Sequence, residues 1–361
     1  MNLPPRTTPA SVAPVCIAGM HRSGTSMVTS LLNACGLFLG RAEELAGPAL
    51  DNPEGFWENL NFVELNEKLL ACLGGSWDEP PTFPTRWEFG SAVEPLLGQA
   101  AELAARFDCH RHWGWKDPRN SLTIPFWQRV IPSLRVVVCV RNPLEVAHSL
   151  FVRGDSTAAS RFELWLNYYR QILSAAPSAS RIVTHYQSYF EDARAEVRRV
   201  ADWLGLEVSD EAAEHACAQV SSVLRHHHST KESLKDAGAS DEVVELYLRL
   251  CDEAGPVCRR LMERESLSGA LSRPAPGGYD LQLMRVEHNL AKCEKRLSSL
   301  EEQSAGLEAQ LHEVRASLLP LFRAREELHE VRAALLPLIR MLDALRAVRT
   351  RLRSLLSRGE K

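Results

Sequence analysis

The residues Gly19-Met20-His21-Arg22-Ser23-Gly24-Thr25-Ser26 have the G-x-x-x-x-G-T-S spacing of a phosphate cradle. In such a loop, backbone amides and the N-terminus of the following helix point at an anion. A nucleotide-triphosphate loop ends in G-K-[S/T], with the Lys reaching the β- and γ-phosphates and the hydroxyl holding Mg²⁺. Here Thr25 stands at the Lys position, and the cation precedes the second glycine as Arg22. The loop is therefore expected to bind a phosphate ester without the usual kinase apparatus. Three further groups could act with it: Lys116-Asp-Pro-Arg119, Arg141-Asn-Pro143 and His185-Tyr186.

These groups need a scaffold that brings them together. The first two-thirds of the chain alternates strand and helix patterns, as in an α/β domain with a parallel sheet. Strands are expected at Val15–Ala18, His112–Trp115, Leu134–Val140 and Arg181–Thr184. Helices are expected at Thr25–Cys35, Asn61–Cys72, Ala92–Arg106, Ile124–Val130, Leu144–Phe151, Ser160–Leu173 and Ala193–Leu204. The run Val136–Val140 lacks polar alternation, which fits a central strand buried on both faces. Ligands of open α/β sheets bind beyond the carboxyl ends of the strands, and all four groups follow a strand there. The expected fold is a P-loop-like three-layer domain, with a central parallel sheet flanked by helices and a helical coiled-coil tail after it.

Together these residues resemble the sulfotransferase family, in its bacterial carbohydrate-type branch, over about residues 13 to 235. His21–Ser26 matches the arginine form of the family's first loop, which binds the 5′-phosphosulfate of 3′-phosphoadenosine 5′-phosphosulfate. Arg141 and Ser149 match an Arg at a strand end with a Ser eight positions later, and the resemblance assigns both to the 3′-phosphate. Asn52-Pro-Glu-Gly-Phe-Trp-Glu58 matches a third motif, and Lys116-Asp-Pro118 is similar to the tyrosylprotein and carbohydrate branches. The resemblance also implies that Tyr186 contacts the adenosine and that Arg225, before His226–His228, lies in a cofactor-closing loop.

Sulfuryl transfer to an alcohol needs a base for the acceptor, a cationic cage for the sulfuryl oxygens and stabilisation of the leaving phosphate. The amides of Ser23 to Ser26 and the Thr25 and Ser26 hydroxyls could hold that phosphate, with Arg22 and Lys116 as cations. A sulfuryl group carries less charge than a γ-phosphoryl, so no metal is expected. Glu58, beside Phe56 and Trp57, is the candidate base, with Glu54, Glu43 and Glu44 as alternatives; Glu58 could instead serve the dipole of the Asn61–Cys72 helix. Asp117 could simply pair with Lys116 or Arg119 and fix the turn. The triple His lacks metal-ligand spacing.

The Trp- and Pro-rich segment Gly74–Trp87 suits either a rim on which a sugar ring stacks or a rigid connector. The family likeness favours a carbohydrate or lipid-linked glycan acceptor. The 361 residues are 45% apolar, and the net charge of −4 gives no case for nucleic acid. Nine scattered Cys, odd in number and without a C-x-x-C pair, signal neither a disulfide framework nor a zinc site. With no signal peptide or spanning run, the expected location is cytoplasmic.

The expected domains are a flexible N-terminus at 1–12, the sulfotransferase domain at 13–265, a linker at 266–279 and a helical tail at 280–361. In the tail, Leu311–Leu321 recurs as Leu328–Leu338, a period of 17 residues, and Pro320 and Pro337 are expected to kink or interrupt the helix. The apolar spacing predicts a homo-oligomer through a coiled coil. The basic end, Arg340 to Lys361, could instead lie on the inner face of an anionic membrane. Two other classes fit parts of the chain. An ATP-dependent phosphotransferase is opposed by Thr25, and a non-catalytic scaffold by the intact set of Arg22, Lys116, Arg141 and Ser149.

Overall fold

The computed structural model describes residues 12–47, 55–151, 158–220, 229 and 231–268, and discontinuous stretches between 304 and 351, the longest being 328–344. Four strands form one sheet in the order β2-β1-β3-β4: β1 (Val15–Ala18), β2 (Gly114–Lys116), β3 (Arg135–Val140) and β4 (Arg181–His185). Every pairing is parallel, with Cys16 opposite both Trp115 and Val136, and Val138 opposite Val183. The two central strands are fully buried apart from Arg135. This is why their sequences carry no polar alternation.

The two-residue period of the strands sorts their side chains into two cores. Cys16, Ala18, Val136, Val138 and Val140 face one core. It is closed by α2 (Leu60–Cys72), α3 (Leu97–Ala105), α4 (Asn120–Val130), α5 (Pro143–Phe151), α6 (Ala158–Ala175) and α10 (Asp241–Glu253). Val15, Ile17, Val137 and Cys139 face the other, under α1 (Thr25–Ala34), α7 (Ser188–Leu204) and α8 (Asp210–Ala218). Two more helices follow the sheet, α9 (Lys231–Asp236) and α11 (Pro256–Ser268).

The expected three layers are therefore present, with differences at element ends. β2 lies toward Lys116 rather than starting at His112, because pairing with β1 begins at Gly114. The helix expected from Ala92 is a 3-10 turn at Glu94–Leu96 followed by α3. α4 starts four residues earlier than its apolar pattern, since buried Asn120, Ser121 and Thr123 make its first turn polar. α8, α9, α10 and α11 lie beyond the last helix expected; α8 and α10 each begin on a serine cap, Ser209 accepting from Ala212 N and Ser240 from Val243 N.

The chain divides into two units, residues 1–277 and 278–361. α11 runs to Ser268, so the first residues of the expected linker are helical; residues 269–303 lie outside the described ones, as do 1–11 at the N-terminus. In the second unit, residues 328–344 are helical without a break at Pro337. A proline removes one helical hydrogen bond, and here the flanking turns keep the helix going. Among the described residues no helix is long and apolar enough to cross a membrane.

Candidate active site

At the carboxyl end of β1 the chain turns sharply. Gly19 has φ +144°, and a Cβ there would overlap the carbonyl oxygen of Cys139 in β3. Gly24, φ +83°, is the N-cap of α1 and brings no side-chain cap to it. The first turn of α1 thus receives no hydrogen bond from an N-cap side chain, and a helix start of this kind can receive an anion. A Cβ at Gly24 would overlap the Tyr186 ring. Between the glycines, Arg22 adopts φ +70°. One expected donor is not available, because the Ser23 amide donates to the Met20 carbonyl at 3.1 Å within the turn. The open end of the cradle begins at Gly24.

Behind the loop, Tyr169 on α6 donates its hydroxyl to the Cys139 carbonyl at 2.6 Å and lies 3.1 Å from Ser23 Oγ. Burial pushes this phenol well above the ordinary tyrosine range, with the Ser23 hydrogen bond working against the shift. Tyr169 therefore remains a protonated donor that staples the loop to β3. Thr25 is buried, with its carbonyl accepting from Thr29 Oγ1 at 2.7 Å; Ser26 is half-buried in the same first turn.

Arg141, Ser149 and Tyr186 converge on this loop. Arg22 Nε donates to Ser149 Oγ at 2.8 Å, across 127 residues of chain, and Arg141 Nη1 donates to the Arg22 carbonyl at 3.2 Å. The Arg141 guanidinium lies over the Tyr186 ring, 4.5 Å from its centroid. The Tyr186 amide donates to the Val140 carbonyl at 2.8 Å, which carries the β3–β4 pairing one step beyond the sheet. Asn142 caps α5 by accepting from Leu144 N at 2.9 Å, yet Arg141 beside it is only 9% exposed. Sequence reasoning missed Glu145, whose carboxylate accepts from Arg141 Nε at 2.7 Å, and Gln187, which donates to Glu145 at 3.3 Å. The i,i+4 spacing of Arg141 and Glu145 was the available signal.

A second pair forms at the end of β2. Lys116 Nζ, with its side chain 1% exposed, donates to Glu58 Oε1 at 2.7 Å. Among the carboxylate alternatives, Glu43 is exposed, Glu44 is bound by Arg106 and by the Arg41 amide, and Glu54 lies outside the described residues. Asp117 takes the turn-fixing role: it accepts from the Arg119 amide at 2.9 Å, Arg119 Nη1 at 3.0 Å and Asn66 Nδ2 at 2.8 Å. Arg225 lies outside the described residues.

The two readings of the Gly74–Trp87 segment divide between its ends. Trp87 is buried and Phe83 packs 5.2 Å from it, the connector reading. Trp77 reaches the loop instead, with its ring 4.3 Å from that of His21, and its carbonyl accepts from the Tyr168 hydroxyl at 2.7 Å. His185, Cys251 and Cys258 form a buried group at ligand distances. The ring of His185 is already engaged, with Nδ1 accepting from Gln187 N at 3.2 Å and Nε2 against Tyr247 Oη at 3.1 Å.

A model described as Sulfotransferase family matches residues 14–210. A putative protein-tyrosine sulfotransferase of Caenorhabditis briggsae is 23% identical over 217 residues, 56% of this chain and 68% of that protein. Among solved structures, the sulfotransferase STF1 from Mycobacterium tuberculosis H37Rv is 17% identical, with a TM-score of 0.43 over 66% of this chain and 77% of that one. Retinol dehydratase in complex with androsterone and the inactive cofactor PAP is 15% identical, with a TM-score of 0.30 over 75% and 84% of the respective chains.

Proposed function

Because this chain belongs to the sulfotransferase family, we propose that it moves a sulfuryl group from 3′-phosphoadenosine 5′-phosphosulfate to a hydroxyl of a carbohydrate or lipid-linked glycan, without a metal. The observation that carries the reading is the joining of two anion-binding features into one cradle: the uncapped start of α1 at Gly24, and the Arg141–Ser149 pair tied to the same loop through Arg22. A nucleotide with phosphates at both its 5′ and 3′ ends fits that donor set, and Tyr186 offers a ring between them.

In this reading His21 to Ser26 line the 5′ end, with Gly24, Thr25 and Ser26 offering amides and hydroxyls. Arg141 and Ser149 hold the 3′ end and are tied to the 5′ loop through Arg22, and Arg225 is read as a further cation for the 3′-phosphate. The bound co-substrate supplies an activated sulfuryl group whose bond to the 5′-phosphate breaks as the acceptor oxygen attacks. Glu58 takes the acceptor's hydroxyl proton on a carboxylate oxygen, and Lys116, whose ammonium lies 2.7 Å from that carboxylate, offsets charge on the sulfuryl oxygens. Thr25 in place of a loop Lys, and a transferred group of lower charge than a phosphoryl, support metal-free transfer.

Trp77 beside His21 supports a ring-stacking acceptor wall at the mouth of the loop. The tail is read as the self-association element: Leu328, Val331, Leu335, Leu338 and Leu342 are exposed on one helix at the 3-4-3-4 spacing of a coiled-coil seam. The test is a turnover assay with ³⁵S-labelled co-substrate against purified glycans, lipid-linked sugars and tyrosine peptides. Label transfer to a sugar hydroxyl, lost in Glu58→Gln, is the expected result; transfer to peptide alone overturns the acceptor class.

A further inference from the structure

Glu145 is a carboxylate buried to 1% exposure beside a cradle that must hold phosphate. By charge alone it opposes such a ligand, so its contacts must account for its place there. One carboxylate oxygen, Oε2, accepts from Arg141 Nε at 2.7 Å. The other, Oε1, accepts from the Ser229 amide at 2.9 Å and from Gln187 Nε2 at 3.3 Å. Asn142, three residues earlier, donates to the Ser229 carbonyl at 2.8 Å, so the carboxylate is held from α5, from the turn after β4 and from Ser229.

The consequence falls on Arg141. A guanidinium is a planar fork with five N–H donors, and its value as a phosphate ligand depends on where the fork points. Here Nε is tied to Glu145, Nη1 to the Arg22 carbonyl and one face to Tyr186, which fixes the plane. Among the described residues Nη2 has no hydrogen-bond partner. The fork is thus set in advance with one donor group uncommitted, and preorganisation of this kind raises affinity by removing an ordering cost.

We propose that Glu145 is a positioning residue that aims Arg141 at the 3′-phosphate, so that the enzyme distinguishes a 3′-phosphorylated nucleotide from one lacking that phosphate. The inference rests on the nucleotide reading above, and the experiment separates the two. Full-length wild-type, Glu145→Gln, Arg141→Ala and the double variant are titrated by calorimetry with adenosine 3′,5′-bisphosphate and with adenosine 5′-monophosphate. Gln keeps the shape but removes the charge and sets an NH₂ against one of the donors that Glu145 now receives. Glu145→Gln is expected to weaken the bisphosphate about ten-fold or more, equivalent to about 1.4 kcal/mol, and to leave the monophosphate unchanged. In the Arg141→Ala background it should add nothing. If Glu145→Gln does not fold, Glu145→Asp, which draws the carboxylate one methylene back from Nε, should give the same split. Equal weakening of both nucleotides, or a bisphosphate affinity that is unchanged or improved, overturns the positioning role. A wild-type protein that does not prefer the bisphosphate overturns the nucleotide reading itself, and this inference with it.

Discussion

Replacing Lys116 with Met separates the two ends of the proposed site. Met retains most of the aliphatic stem, which is buried at the end of β2, and removes the ammonium 2.7 Å from Glu58 Oε1. At that distance and an effective dielectric of about 20, the Coulomb attraction is about 6 kcal/mol. Desolvation of a lysine only 1% exposed offsets most of it, whereas Glu58 at 15% exposure regains some water when its partner is removed. The net stability loss should be about 1–3 kcal/mol, read as a lower urea midpoint with an unchanged m-value. If Lys116 also balances charge in the transition state, kcat should fall by about 10²–10³. The lysine shares no hydrogen bond with the Arg22–Ser149–Arg141 set, so the dissociation constant for adenosine 3′,5′-bisphosphate should stay within about two-fold of wild type, a distance-based additivity argument. A kcat within about three-fold of wild type, or a loss of nucleotide affinity that matches the loss of kcat, would refute this division of labour.

Two further outcomes follow from local geometry. Gly24→Ala places a Cβ against the Tyr186 ring at φ +83°; it should cost about 1–2 kcal/mol from backbone conformation alone and, by shifting the ring under Arg141, weaken bisphosphate binding about ten-fold or more, measured by thermal melting and calorimetry. Burial pushes the thiols of Cys16 and Cys139 far above their ordinary range, the nearby Lys116 only partly countering this at Cys139, whereas Cys72 and Cys109 are exposed. Iodoacetamide at pH 8 should therefore alkylate Cys72 and Cys109 in the native protein and reach Cys16 and Cys139 only after unfolding; rapid native labelling of Cys139, read by peptide mass spectrometry, would contradict the packing of the loop on β3.

Local chemistry in the sequence carried much of this far. Val15–Ala18 is the strand that its apolar run implies, and the glycine spacing after it does form a helix-entry loop. Ser209 and Ser240, each followed by two acidic residues, were readable starts for α8 and α10. What could not be read is what depends on the tertiary fold. Nothing local links Arg22 to Ser149, or Glu58 to Lys116; both pairs are made by the parallel sheet, which brings distant strand ends to one edge. The Ser23 amide was counted as a phosphate donor because spacing does not reveal the tight turn onto Met20. At Pro337 the local rule that a proline kinks or interrupts a helix weighs the lost hydrogen bond without the turns on either side, and the helix is not interrupted there.

The most direct test of a two-ended nucleotide cradle is a calorimetric titration of the full chain with adenosine 3′,5′-bisphosphate, with and without Mg²⁺, beside the same titration of Arg141→Ala. The account predicts binding that does not depend on Mg²⁺ and is weakened about ten-fold or more in the variant. No binding, or binding of ATP that requires Mg²⁺ and ignores Arg141, would contradict it.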